Sequence, residues 1–443
     1  MKIRRIATVA IAAIAVGSLA ACSGASGSGG GSSTDAPKTI TYWASQQVSS
    51  LPGGDEGLLQ PVLDKFEKQT GVKVKLEVIG WNNLMNRTLT AVTSGVGPDV
   101  INIGDSNAAT MQATGAFLPF EGDALKAVGG EDKFVPIAYA TGGAEGQAVT
   151  SIPLLGFAYG LYYNKKMFAD KGLTPPTTWQ ELVSDAKAFT DASAGKWGIA
   201  IQGGSVPENM HFAFIFGQQN GADPFNKDGS PNFTADGMVD GIQQYVDLIG
   251  KHKVANPTDV QSSSGSQSNT DFANGTAAML MGQNNVEAVL TANGMKAEDY
   301  GLVPIPAPQP LPKNGKDVGS FVAGINISIF KNTKNQDAAL KFVNFMTSKE
   351  VQEIIDKPFG ALSTIKGGVA NFSPNKDIMD TFTDIYANKS EPLPRIATFG
   401  AFTTNVGGAL NALMAQAATT GDVSRDDIKA ALDAAQQQMI AAG

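Results

Sequence analysis

The apolar pattern between residues 39 and 103 changes period repeatedly, and this alternation restricts the fold more than any other feature of the chain. Residues 39–43 (TITYW) are β-branched and aromatic, which suits a strand, and Leu59, Val62, Leu63 and Phe66 then recur at helical spacing. Pro61 is tolerable there only in a first helical turn. Val72, Val74, Leu76 and Val78 alternate with Lys73, Lys75 and Glu77, giving a second strand. Leu84, Met85, Leu89 and Val92 mark the next helix, and Pro98-Asp99 leads into a strand over residues 100–103. Strand, helix, strand, helix, strand predicts an α/β fold on a mostly parallel sheet flanked by helices.

In open sheets of this class ligands bind beyond the carboxyl ends of the strands. That rule gathers residues 43–47, 80–83 and 104–107 onto one rim. The rim offers two indoles, Trp43 and Trp81, among Ser45, Gln46, Gln47, Asn82, Asn83, Asp105, Ser106 and Asn107. A flat apolar face edged by amides and a carboxylate suits a sugar, whose C–H face stacks on an aromatic ring while its hydroxyls need fixed donors and acceptors. The alternative for each tryptophan is packing in the core.

Further along, Thr178 and Glu181 have the spacing of a capping box that opens a helix through Phe189, with Trp179 packed at its start. Trp197 stands at a strand entrance and is read as structural too. Residues 208–211 open an apolar helix running to Gly217, so Glu208 and His211 are candidates to face a cleft. Residues 253–270 are polar and serine-rich, which predicts a surface loop, and residues 272–282 predict a small-residue strand ending in Gln283-Asn284-Asn285. Prolines at 304, 306, 308, 310 and 312 make a stiff connector; residues 321–330 read as a strand, 338–346 and 350–355 as helices, and 426–442 as an amphipathic helix. A chain of this length is too long for one compact core, so two lobes are expected.

At the N-terminus Lys2, Arg4 and Arg5 precede an apolar stretch over residues 6–16 and then small residues, the pattern of a secretory signal. The stretch is too short to span a bilayer. Residues 23–36 (SGASGSGGGSSTDA) are small and polar, a flexible tether with a mean reach of roughly 20 Å. The formal charge of −8 and the lack of Lys/Arg runs beyond the first positions argue against nucleic acid. One cysteine and two histidines leave little for a metal site, so no metal and no cofactor are expected.

Leu19-Ala20-Ala21-Cys22 resembles the lipobox of bacterial lipoproteins, which implies that Cys22, the sole cysteine, is lipidated and becomes the first mature residue. The succession of LYYNK (161–165), PPTTWQEL (175–182), FANGTAAMLMG (272–282), Gly324-Ile325-Asn326, FVNFM (342–346) and Phe359-Gly360-Ala361 resembles the extracellular solute-binding proteins of ABC importers, in particular those that capture oligosaccharides. The resemblance implies a signal (1–21), a lipidated tether (22–37) and two α/β lobes, 38–152 with 322–362 and 153–321 with 363–443. Hinge crossings would lie near Ile152, Phe321 and Leu362, with the ligand cleft between the lobes.

By position, the family's binding segments correspond to Gln46 and Gln47, Asp105 to Asn107, Glu208 to His211, Gly282 to Asn285 and residues 398–402, with Asn107, Gln283, Asn284 and Asn285 among the candidates. Many relatives carry a stacking tryptophan after the segment equivalent to AAMLMG, where this chain has Gln283-Asn284-Asn285, so Phe399 or Phe402 becomes the substitute platform. The resemblance also implies a monomer without enzymatic activity, anchored on the extracellular face of the cytoplasmic membrane. Its partners would be a small oligosaccharide, the permease subunits and the membrane itself. A rival from another class is a surface glycoside hydrolase, which needs two carboxyl groups roughly 5 to 10 Å apart and would use Glu208 and Asp105. A binding protein for a polyamine or for anion-coordinated iron is a closer rival.

Overall fold

The protein is described by a computed structural model covering residues 38–48, 53–263, 265–369 and 371–442. The signal, Cys22 and the tether lie outside the described residues. The strands are β1 (Thr39–Ser45), β2 (Lys73–Ile79), β3 (Val100–Gly104), β4 (Ile152–Phe157), β5 (Tyr159–Asn164), β6 (Trp197–Ala200), β7 (Ala277–Gln283), β8 (Tyr300–Val303), β9 (Ser320–Phe321), β10 (Ala323–Ile329) and β11 (Ser390–Glu391). They form a five-stranded sheet in the order β2-β1-β3-β10-β4, a four-stranded sheet in the order β6-β7-β5-β8, and a ribbon of β11 and β9.

The first three strands are parallel, as their alternation with helices predicts, but β10 runs antiparallel to both β3 and β4. In the second sheet β5 is antiparallel to β7 and β8, and only β6 and β7 are parallel. Both sheets are thus mixed rather than mostly parallel, because long connections deliver β10 and β7 from the opposite end.

The helix Gly54–Thr70 buries Leu59, Val62, Leu63 and Phe66, the spacing seen in sequence. Pro61 lies inside that helix rather than in its first turn. It faces solvent, so the carbonyl that its missing N–H leaves free is hydrated. Phe342, on the helix Gln336–Met346, closes this core with its ring centroid 5.1 Å from both Tyr42 and Phe66. In the second lobe the capping box of Thr178 and Glu181 forms at the helix Trp179–Phe189, and Trp179 packs edge-on to Phe216.

The polar stretch expected as a loop carries a 3-10 turn, Pro257–Gln261, and a helix, Ser266–Ala273, so Phe272 ends a helix and the strand begins only at Ala277. Burial of Ser268, Asn269 and Phe272 against the second sheet holds this helix despite its weak intrinsic preference.

The chain crosses from the first sheet to the second at Ala158, between β4 and β5, and returns at Val322, between β9 and β10. β4 therefore belongs to the first sheet, beyond the boundary expected at Ile152. Beside these crossings Gly156 and Leu362 exchange backbone hydrogen bonds of 2.8 and 3.0 Å. A Cβ on Gly156 would stand 2.9 Å from the Leu362 carbonyl oxygen, so glycine is needed for that approach.

Candidate ligand-binding cleft

Between the two sheets lies a cavity of about 610 Å³, a size suited to a small ligand. The first lobe supplies the ends of β1 and β3 and the start of the helix Trp81–Ser94. The second supplies the start of the helix Val206–Gln219, the segment before and within Ser266–Ala273, the end of β7, and the start of the helix Phe399–Thr420. Phe157, Phe321, Ala323 and Gly324 from the crossing segments form its floor.

Gln46 and Gln47 are set by a clamp after β1, where buried Asp55 accepts from the backbone N–H of Gln47 at 2.7 Å and of Val48 at 3.1 Å. Burial raises the Asp55 carboxyl while these donors pull it back. Trp81 begins its helix and keeps 38% of its surface exposed, lying across Gly104, where a Cβ would meet its Cζ3 at 3.4 Å. Asp105 follows β3 and accepts from the Ser106 N–H at 2.7 Å and from the Gly324 N–H. Burial pushes its carboxyl up to about 8, since the two backbone donors only partly offset the loss of water.

On the opposite wall Ser205 caps the helix Val206–Gln219, which projects Glu208 and His211 into the cavity. The buried Tyr159 phenol donates to Glu208 Oε2 at 2.8 Å and lies 2.7 Å from His211 Nδ1. The imidazole leans on Phe321 with ring centroids 4.6 Å apart. Three buried side-chain atoms on the cavity's residues have no hydrogen-bond partner within the protein: Asn107 Oδ1, Asn269 Oδ1 and Thr403 Oγ1. Buried polar atoms are ordinarily paired, so this concentration marks a surface shaped for an external polar molecule. No Lys or Arg is among the described residues that line the cavity, and no group of acidic, His or Cys side chains among them is arranged to hold a metal ion.

Residues 49–353 match the bacterial extracellular solute-binding proteins, over half of the chain. The chain belongs to that family. This solute-binding protein is similar to the diacetylchitobiose binding protein DasA of Streptomyces coelicolor, with 28% identity over 361 residues, covering 79% of this chain and 76% of the relative. It is 24% identical over 356 residues to a maltooligosaccharide ABC transporter solute-binding lipoprotein of Streptococcus pneumoniae, covering 79% of each. Its fold is similar to that of the GacH receptor of Streptomyces glaucescens, solved unliganded and with acarbose, with a TM-score of 0.76, 21% identity, and coverage of 91% of this chain and 98% of that one. The fold is thus the two-lobed one of periplasmic binding proteins.

Of the residues expected at the site, the solute-binding protein brings Gln46, Gln47, Trp81, Asn83, Asp105, Asn107, Glu208, His211, Gln283 and Asn285 to the cavity. The Asn82 side chain lies outside what the structure describes. Four others are elsewhere. Trp43 is half-buried under the Arg87 guanidinium, 4.5 Å from the ring centroid, because the pleat of β1 turns it toward the helix Trp81–Ser94 before the strand ends. Asn284 is fully buried at the lobe crossings, bonded to backbone there rather than open to the cavity.

Phe399 and Phe402 are buried with Phe225 and Phe233, on the inward stripe that continues through Val406, Leu410 and Leu413. Their neighbours on the helix, Gly400, Thr403 and Thr404, face the cavity instead. The helical spacing of that stripe was a signal that could have separated the two faces. Gln202, Ser205, Ser263 and Asn269 were also missed, and serine-rich composition alone gave them no cue.

Proposed function

We propose that this solute-binding protein captures a small neutral oligosaccharide in its inter-lobe cleft and delivers it unchanged to the permease of an ABC importer. The observation that carries this reading is the half-exposed indole of Trp81 on a cavity wall whose other polar side chains are amides, hydroxyls, the His211 imidazole and two carboxyls, with no Lys or Arg among the described lining residues. An indole receives a pyranose face, acceptor-rich amides and carboxyls receive its hydroxyls, and a wall without fixed cations disfavours an acidic ligand. The relatives named for diacetylchitobiose and maltooligosaccharide support the ligand class.

The moving bodies are the described residues of 38–157 with 323–366, since Thr364 and Lys366 pair with Val135 and Lys133, and those of 158–322 with 371–442. A sugar that touches both binds the closed arrangement more tightly than the open one, and only that difference drives closure. The closed form is what the permease reads. The lipobox at Cys22 and the lipoprotein relative support a protein held by lipid on the extracellular face of the cytoplasmic membrane, on the tether of residues 23–36.

A thermal-shift screen against di- and trisaccharides tests the reading, followed by calorimetry on the best. Ligand at a hundred times its Kd stabilises by about 2.7 kcal/mol, enough to raise the melting point visibly. No shift with any neutral sugar, or the appearance of new reducing ends at catalytic turnover, overturns it.

A further inference from the structure

The part of the cleft wall formed by Glu208 and His211, with Tyr159 buried behind it, has a fixed proton count. Tyr159 is fully buried; its phenol donates to Glu208 Oε2 at 2.8 Å, and the phenol oxygen lies 2.7 Å from His211 Nδ1. A phenol carries one proton, and a carboxylate has none to give. With that proton directed at Glu208, the short approach of His211 is a hydrogen bond only if the imidazole donates through Nδ1. Burial and the neighbouring Glu208 hold the phenol well above the usual tyrosine range, so it keeps its proton. Contact with Phe321, centroid to centroid at 4.6 Å, and with Tyr159, at 5.6 Å, fixes the plane of the ring. With Nδ1 committed to the phenol, Nε2 is the nitrogen left to the cavity that His211 lines.

We infer that Tyr159 and Glu208 hold His211 as its Nδ1-protonated tautomer, so that the cleft meets a bare Nε2 that accepts a hydrogen bond from a ligand hydroxyl. Amides such as Gln283 and Asn285 offer both a donor and an acceptor and tolerate either polarity. The imidazole in this tautomer offers only one, so it selects a hydroxyl and rejects an ether or a carbonyl at the same point. Tyr159 and Glu208 are positioning residues in this scheme, acting on the ligand through His211. The selection of a hydroxyl rests on the sugar reading; the tautomer does not.

Full-length protein labelled with ¹⁵N in histidine gives imidazole signals from His211 and His252 alone, and a His252→Gln variant assigns them. The expected result near neutral pH is a protonated Nδ1 and a bare Nε2 at His211 without ligand, with Tyr159→Phe moving the proton to Nε2. An Nε2-protonated or doubly protonated His211 in the parent protein overturns the inference. Maltotriose and N,N′-diacetylchitobiose are then titrated. His211→Asn, whose amide reaches only the Nδ1 position, is expected to weaken the binding sugar about tenfold or more, while His211→Gln, which reaches the Nε2 position, retains most of the affinity. Equal loss in both variants overturns the acceptor role. Should no di- or trisaccharide of the thermal-shift panel bind while the tautomer is as stated, the ligand reading falls and the proton assignment stands.

Discussion

The Asn284 side-chain amide donates to the Gly360 carbonyl oxygen at 2.5 Å, joining the end of the second lobe's β7 to the last turn of the helix Lys349–Phe359. The same amide reaches the Gly156 carbonyl at 3.3 Å, and its oxygen accepts the Ala158 N–H at 2.8 Å. One side chain therefore ties two crossing segments to the strand whose next residue, Asn285, faces the cavity. Gly360 makes the approach possible: its φ is +65°, and a Cβ there would fall 2.6 Å from the Asn285 Cα.

Replacing Asn284 with Ala is expected to cost about 3 kcal/mol of stability, because it takes the side-chain partner from the buried Ala158 N–H and from the Gly360 carbonyl. Chemical denaturation measures the loss, and hydrogen exchange should show the Ala158 amide losing protection. An unchanged denaturation midpoint would contradict the clasp.

Trp81→Ala should behave in the opposite way. The side chain is half-exposed, so stability is expected to change by less than about 1 kcal/mol. Affinity for the captured sugar is expected to fall by about thirtyfold or more, as for an aromatic anchor in a binding site. Calorimetry on the folded variant checks both halves.

Phe402→Ala separates core from cleft. The ring is fully buried against Phe225 and Phe233, so its loss is expected to destabilise by about 3–5 kcal/mol. Where the variant is still folded, its ligand affinity should match the parent's; a selective loss of affinity would restore Phe402 to the site.

A dependence on pH follows from Asp356, whose carboxyl is 2% exposed, has an unpartnered Oδ1 and is pushed up to about 8 by burial. Unfolded, it titrates near 3.8. Between those values the native state holds a proton that the unfolded state has released, so stability falls as pH rises from about 4 to about 8. Glu287, raised to about 7 by burial, acts in the same direction. Asp356→Asn is expected to flatten the decline by up to about 1.4 kcal/mol per pH unit, read from melting at a series of pH values. A slope identical to the parent's would show that Asp356 titrates normally.

What was legible in the sequence was mostly local. The capping box of Thr178 and Glu181 needs only neighbours in the chain, and the periods over residues 39–103 fix which side of each element is buried. Periodicity does not encode strand direction, so the antiparallel entry of β10 was hidden. Nor does it say how far along β1 the cleft begins, and for that reason Trp43 and Gln46, three residues apart, part company. Asn284 sits between two residues that line the cavity, and only its partners far away in the chain, Gly156 and Gly360, reveal that it faces the other way. Asn269 reaches the cleft on a helix that tertiary burial, not composition, keeps folded, and Ser263 on the segment just before it.

β10 lies in the middle of the first sheet although the chain reaches it only after traversing the whole second sheet. A nascent chain that stops short of Ala323 leaves β3 and β4 with open edges and nothing to join them. The sheet that is begun first is thus finished after the other, and truncations that spare every residue of the second sheet still leave the first one in two pieces.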